Sequence, residues 1–273
     1  MVDNGSRGFK PDNAVERGPN GGFNKGKEMR LKSQISCMVA KTLGSLSFIR
    51  IIEWREILRL VYPQNGEKIL DVACGEGALS LKIAKRGCQV HGIDMSSYFI
   101  KRAKTLVGKQ SCHFLVADAE QLPYMSESFD KVVCSSSLEH FSNDVKALKE
   151  MSRVSKKNGI VVLTTDSLSG PMQDYLKVKH KTQYHVVNYY KSEEISETFE
   201  QSGLKLLSSK YLLNSPATSF FYKLFIKTEG KFYHQLLVLL LSALLIPLLL
   251  VSDKLAGNEN YGYTLLAKGE KHE

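Results

Sequence analysis

The apolar positions of this chain change their spacing along its length, and the changes mark out its elements. Ile51, Trp54, Leu58 and Val61 recur every three to four residues, which predicts a helix over Phe48–Val61 with one apolar stripe, after a first helix over 31–47. Pro63 and Asn65-Gly66 end it. From Lys68 onward, short uninterrupted apolar runs alternate with helical patterns. Strands are expected up to Val72, Ile93 and Ala117 and over 131–134 and 160–165, with helices over about 78–86, 97–107 and 144–152. Runs of this kind suit strands covered on both faces, and their alternation with helices predicts a parallel sheet between two helical layers. Ser96 is placed to cap the helix beginning just after it. Beyond Asp166, a loop carrying Pro171, Tyr175, His180, Tyr184, His185, Tyr189 and Tyr190 leads to a helix over 192–202, ended by Gly203. Strands are expected over 204–213 and, last, over 261–268.

Between those two strands the pattern changes again. Residues 232–252 carry no charge apart from what His234 acquires on protonation, and 236–251 are almost all leucine-like. By length alone this stretch reaches the roughly 20 residues that cross a bilayer. A simple crossing would carry the last strand away from its sheet and leave backbone groups unpaired. A monotopic or re-entrant insertion over 214–257 satisfies both demands, with Pro247 as the place to break and Phe220, Phe221, Tyr222, Phe225, Lys223, Lys227 and Lys231 at the interface. A buried helix or a dimer contact is the competing reading.

Candidate chemistry gathers at the strand ends. The first strand runs through Asp71 into Ala73-Cys74-Gly75-Glu76-Gly77, a glycine turn that lets backbone approach a nucleotide. The dinucleotide pattern G-x-G-x-x-G is met only twice, since Ser80 stands at its third glycine. The second strand ends in Asp94, about 20 residues on and placed to accept hydrogen bonds from ribose hydroxyls. Both a dinucleotide and an adenosyl ligand fit these two features.

The third strand and the segment after it narrow the choice. Val116-Ala117 leads to Asp118-Ala119-Glu120, then Gln121-Leu122-Pro123, Ser128-Phe129-Asp130 and, after the fourth strand, Ser135 to Phe141. This series resembles the class I S-adenosylmethionine-dependent methyltransferases, and most of all the subgroup with the ubiquinone and menaquinone ring methyltransferases and many small-molecule methyltransferases. The resemblance covers about residues 50–212 and, more faintly, 258–268. It implies an α/β, Rossmann-like three-layer sandwich: a mostly parallel seven-stranded sheet with an antiparallel last strand, N-terminal helices, and the apolar helical insertion before that strand. It implies S-adenosyl-L-methionine as cofactor, with Asp71, Ala73, Gly75 and Gly77 around the methionine part, Asp94 at the ribose, and Met95 among the cofactor-binding residues. Asp118 and the Ala119 N–H would meet the adenine, and Ser135 the methionine end. Ala73 stands where glycine is usual in the family, and alanine takes positive φ less easily.

Composition adds to this without redirecting it. Lys and Arg exceed Asp and Glu by 37 to 28, for a formal charge of +9, which suits anionic lipid or nucleic acid but is scattered along the chain. Nucleic acid is disfavoured as a partner, because Cys134-Ser135-Ser136-Ser137 stands where base-amino methyltransferases carry an Asn-Pro-Pro-Tyr-like element. Cys37, Cys74, Cys88, Cys112 and Cys134 form no C-x-x-C pair and read as packed thiols of a reducing compartment. Residues 1–30 are rich in Gly, Asn and charge and are expected to form a disordered basic tail with no secretory signal. The expected organisation is that tail, N-terminal helices or lid over 31–66, a methyltransferase domain over 67–213 and 258–269, and the insertion.

No grouping has metal-ligand spacing, His180 and His185 included, so no metal is expected. His140 is the candidate catalytic residue, at the same sheet edge and able to titrate near neutral pH; loop orientation or helix capping is its alternative role. Glu139 is a weaker option, and Tyr184 and Tyr190 could cover the site. The expected function is methyl transfer to a small lipophilic acceptor at a membrane surface, by a cytoplasmic, membrane-associated protein. A soluble sugar or metabolite acceptor, and a cofactor-binding membrane protein without turnover, are the alternatives.

Overall fold

The computed structural model describes residues 47–108, 110–228, 231–256 and 260–272. The expected tail, most of the first helix and Cys37 lie outside them. Helix α1, Phe48–Val61, opens on Ser47, whose hydroxyl accepts the Arg50 N–H. Strands and helices then alternate as β1 (Lys68–Val72), α2 (Ala78–Ala84), β2 (Gln89–Asp94), α3 (Ser97–Val107), β3 (Cys112–Val116) and β4 (Phe129–Ser135). A single turn at Leu138–His140 precedes α4 (Asp144–Val154), β5 (Ser155–Asp166), α5 (Asp174–Tyr184), α6 (Ser192–Gln201) and β6 (Leu204–Leu212). Three helices, α7 (Pro216–Thr228), α8 (Phe232–Leu244) and α9 (Ile246–Leu255), then precede β7, Thr264–Lys271.

The seven strands form one sheet in the order β3-β2-β1-β4-β5-β7-β6. β7 runs antiparallel to both β5 and β6, and the other neighbouring pairs are parallel. After β3 the chain returns to the far side of β1 to place β4. The strand order therefore reverses between β1 and β4, and in open α/β sheets the crevice at such a reversal is where ligands bind.

Alternation along β1 sends its side chains to opposite layers. Ile69 joins a core with Ile57 of α1, Ile83 of α2, Tyr222 of α7 and Leu249 of α9, whereas Leu70 and Val72 join one with Leu148 of α4 and Phe199 of α6. Such strands need apolar residues on both faces, which is why their runs lack polar alternation.

Several boundaries differ from the sequence expectation. Helix α5 lies within the stretch expected as a loop; its only buried side chains are Leu176 and His180, too few to make an apolar stripe. β5 begins at Ser155, because Lys156, Lys157 and Asn158 lie on the exposed stem of the strand. Tyr261 and Gly262 precede β7 as a packed turn, and a Cβ on Gly262 would come within 2.5 Å of the Leu212 carbonyl. Helix α1 buries Phe48, Ile52, Glu53, Trp54, Ile57 and Val61, leaving Ile51 and Leu58 half-exposed, so its inner face is rotated from the expected stripe and includes a carboxylate.

The apolar part of the insertion, after α7, is two helices bent by 71° at Leu245, with Pro247 inside the first turn of α9. Among the described residues no single helix is long and apolar enough to cross a membrane. Helix α9 is fixed at its far end by Asp253. Its carboxylate accepts the backbone N–H groups of Leu213 (3.0 Å), Asn214 (2.9 Å) and Ser215 (3.2 Å) and the Thr218 hydroxyl (2.9 Å). That grip ties the insertion to the end of β6 and the start of α7.

Candidate active site

The turn after β1 places three residues in the left-handed region, Ala73 (φ 54°), Gly75 (φ 53°) and Gly77 (φ 78°). Ala73 adopts it despite its Cβ, at a cost of about 1 kcal/mol. Glycine is required at 77 for a second reason: a Cβ there would sit 2.9 Å from Phe114 and 3.0 Å from Ala103. At Gly75 the space beside the backbone is open instead.

Two aspartates hold this turn. Asp94 accepts the Gly75 N–H (3.0 Å) on one carboxylate oxygen and the Ser96 N–H (2.8 Å) on the other, so the ends of β1 and β2 share one anchor. Each oxygen keeps a lone pair for a further donor. Asp71, 1% exposed, accepts the Ser80 hydroxyl at 2.6 Å. Burial pushes its carboxyl up to about 7, against the pull of the Ser80 hydrogen bond. Ser80 thus has a positive reason to stand at the third glycine position, one that the spacing alone does not disclose.

These groups open onto a cleft of about 440 Å³. Asp71, Ala73, Gly75, Asp94, Met95, Ser135 and His140 all line it, as do Trp54, Phe99 and Phe141. Gly77 lies behind it, packed on Phe114. Asp118 and Ala119 follow β3 at the same sheet edge but are not part of the lining. Asp118 is exposed, and its carboxylate accepts the Glu120 N–H at 2.9 Å. Helix α1 closes the cleft from above, where Trp54 Nε1 donates to Ser135 Oγ at 3.2 Å. Burial raises the Cys74 thiol far above its ordinary value, so it does not serve as a nucleophile.

A second cavity of about 280 Å³ adjoins the first, and Arg50, Ser136 and His140 line both. Its other walls include Glu53, Glu139, Asp166, His180, Tyr184, Tyr222 and Phe225. Glu53 accepts the Arg50 guanidinium (3.0 Å) and the Ser136 hydroxyl (2.8 Å). Glu139, 1% exposed, accepts the Thr165 hydroxyl at 3.0 Å, and burial lifts its carboxyl well above the usual range. Burial lowers His140, whose ring lies 3.9 Å from the Glu139 carboxylate, so it is neutral near pH 7. Sequence reasoning singled out His140 and Glu139 but passed over Arg50, Glu53 and Asp166. Their common signal was faint: Arg50 and Glu53 interrupt the apolar stripe of α1 on its inner side. Tyr190 does not line either cavity and donates its hydroxyl to Asp144.

The donor set fits an adenosyl ligand: a carboxylate with free lone pairs at the second strand, open backbone at Gly75, and aromatic walls. Comparison with known proteins agrees. The family model described as a methyltransferase domain matches residues 70–163. A demethylmenaquinone methyltransferase of Geobacillus stearothermophilus is 33% identical over 141 residues, which cover 49% of this chain and 60% of that protein. The chain thus spans about three-fifths of that relative's length. A demethylmenaquinone methyltransferase of Staphylococcus aureus (strain JH9) is 31% identical over 207 residues, 66% of this chain and 86% of that protein. Among solved structures, a Haemonchus contortus phosphoethanolamine N-methyltransferase in complex with S-adenosyl-L-methionine shares the fold at a TM-score of 0.58. It is 19% identical, over 80% of this chain and 51% of that one. With the reversed strand order, the aspartate-anchored glycine turn and these relatives together, the chain belongs to the class I S-adenosylmethionine-dependent methyltransferases.

Proposed function

We propose that this protein transfers a methyl group from S-adenosyl-L-methionine to a small lipophilic acceptor of the quinone type, drawn from a membrane surface. The observation that carries the reading is the junction of the two cavities, where Arg50, Ser136 and His140 face both volumes. A donor in the larger cleft and an acceptor in the smaller would meet there.

When bound, S-adenosylmethionine supplies a methyl group on a cationic sulfur that departs as a neutral thioether. The residues of the chain align and enclose. Asp94 would receive the ribose hydroxyls on its free lone pairs, and Gly75 lets the backbone come close. Trp54 and Phe99 would exclude water, Ser135 would line the methionine end, and His140 would touch the acceptor. Holding both partners in line is the main contribution a protein makes to such a displacement.

Two features support a lipophilic acceptor. The Geobacillus and Staphylococcus relatives are named for demethylmenaquinone. Helices α8 and α9 also leave large apolar side chains in solvent, among them Leu240 (54%), Leu244 (77%), Leu248 (60%) and Leu255 (77%). Lys223, Lys227 and Lys231 precede them, and Lys254 lies in the last turn of α9. At about 1.5 Å per residue, neither helix reaches across the roughly 30 Å hydrocarbon layer. A bent helix pair lying in one leaflet, with lysines at the headgroups, is the arrangement this pattern supports. It would leave β6 and β7 on one side, as their pairing requires.

The test is to incubate the protein with methyl-labelled S-adenosylmethionine and a reduced total lipid extract, then partition the products. Label in the organic phase is expected. Label confined to the aqueous phase would point to a soluble acceptor and contradict the proposal.

A further inference from the structure

We infer that the smaller cavity is the acceptor pocket, and that Asp166 in its wall takes a proton from an acidic hydroxyl of the acceptor: a phenol, hydroquinone or enol. The inference rests on the methyl-transfer reading and adds to it the place where the acceptor binds and the destination of its proton.

The walls are aromatic and acidic together. Tyr184, Tyr222 and Phe225 give flat apolar surface suited to a ring, while Glu53, Glu139 and Asp166 give acceptors for hydroxyl donors. The three carboxylates are not equivalent. Glu53 is engaged by Arg50, by Ser136 and, at 3.3 Å, by the Thr264 hydroxyl. Glu139 is sealed from solvent and engaged by Thr165. Asp166, at the end of β5, retains 14% side-chain exposure, and its nearest described charge-capable partner is His180 Nε2 at 3.6 Å, beyond hydrogen-bond reach. Among the described contacts, its side-chain oxygens accept no hydrogen bond, and it is the most accessible of the three carboxylates.

Its surroundings suit the task. Arg50, Glu53, Glu139, His140, His180, Tyr184, Tyr189 and Tyr222 are the titratable and charged groups around it, contributed by α1, the single turn after β4, α5, the segment after α5, and α7. Burial pushes the Asp166 carboxyl up to about 7, with the Glu53 charge adding to the shift and Arg50 opposing it. Burial lowers His180 to about 4, so it stays neutral and does not tie Asp166 into an ion pair. Tyr189 and Tyr222 place their hydroxyls 3.1 and 3.3 Å from the two ring nitrogens of His180 and fix its ring. A proton acceptor with its pKa near the working pH is the efficient case.

The step balances. The acceptor O–H bond breaks, the proton goes to an Asp166 carboxylate oxygen, and the bonding pair stays on the acceptor, on oxygen or delocalised to the adjacent ring carbon. That pair forms the bond to the methyl carbon, and the pair of the old carbon–sulfur bond leaves with sulfur. Where carbon attacks, the ring C–H proton returns to the oxygen on re-aromatisation. Asp166 releases its proton to water when the product departs.

The experiment compares wild type, Asp166→Asn and Asp166→Glu with a reduced short-chain demethylmenaquinone analogue as acceptor. It also measures S-adenosylhomocysteine affinity of each by calorimetry. Wild-type kcat should rise with pH to a plateau with its midpoint near 7. Asp166→Asn should lose about 100-fold or more in kcat and lose the rising limb, while S-adenosylhomocysteine affinity stays within about twofold and Asp166→Glu keeps the limb. Asp166→Asn with its limb intact overturns the assignment. Infrared titration needs no acceptor: the wild-type minus Asp166→Asn difference should lose a protonated-carboxyl band near pH 7, and a midpoint in the ordinary aspartate range overturns it equally. A wild type that fails to bind S-adenosylhomocysteine would instead sink the methyl-transfer reading itself.

Discussion

Replacing Ser80 by alanine tests how the glycine turn after β1 is held. The Ser80 hydroxyl donates to Asp71 at 2.6 Å, with Ser80 fully buried and Asp71 1% exposed. Alanine removes the donor and admits no water in its place. A buried carboxylate left short of its donor costs about 1–3 kcal/mol, with the upper part of that range applying when it is ionised. The sign of the pH dependence comes from the same contact. Burial raises Asp71 from 3.8 to about 7 in the folded protein, so the folded state binds the proton more tightly than the unfolded chain. Asp71 therefore lowers stability progressively as pH climbs from about 4 through 7. Ser80 favours the ionised form, and its loss moves the carboxyl higher still. The penalty of Ser80→Ala should thus be small at about pH 5, where Asp71 is already protonated, and larger by about 1–2 kcal/mol at about pH 8. Urea unfolding at the two pH values measures both, and in an Asp71→Asn background the difference should vanish. An equal penalty at both pH values, or a larger one in acid, would refute the reasoning.

The insertion can be perturbed at its anchor and at its exposed face. Asp253→Ala leaves three backbone N–H groups without their acceptor and should cost at least about 3 kcal/mol, at roughly 1 kcal/mol or more per buried donor. Hydrogen exchange should then show α8 and α9 opening before the sheet, and concerted exchange would contradict that. Leu240→Lys with Leu244→Lys removes two exposed anchors worth about 1 kcal/mol each on half burial. Co-sedimentation with anionic vesicles should fall about tenfold or more, with S-adenosylhomocysteine affinity unchanged; undiminished sedimentation would exclude α8 as the bilayer contact.

What the sequence discloses depends on how local the cause is. Unbroken apolar runs such as that around Asp71 report burial on both faces, so the strands and their parallel order were legible. Gly75, Asp94 and Ser135 were legible because each sits at a strand end, where chain order alone brings them to one edge. Helix α5 was not, because only Leu176 and His180 of it are buried and its other positions carry no periodic signal. The bend falls at Leu245 rather than at Pro247, because proline is tolerated in the first turn of a helix and the break comes just before it. The acidic wall was hidden for a different reason: Glu53, Glu139 and Asp166 are 27 to 113 residues apart in sequence and meet only through α1 crossing the ends of β4 and β5.

The most direct measurement of the central claim is calorimetric titration of wild type and Asp94→Ala with S-adenosylhomocysteine, with NADH as the control. Wild type should bind S-adenosylhomocysteine and not NADH. Asp94→Ala should weaken it about 30-fold or more, since two hydrogen bonds to a charged carboxylate and the anchor of Gly75 are lost together. Tight NADH binding, or S-adenosylhomocysteine affinity indifferent to Asp94, would contradict the account.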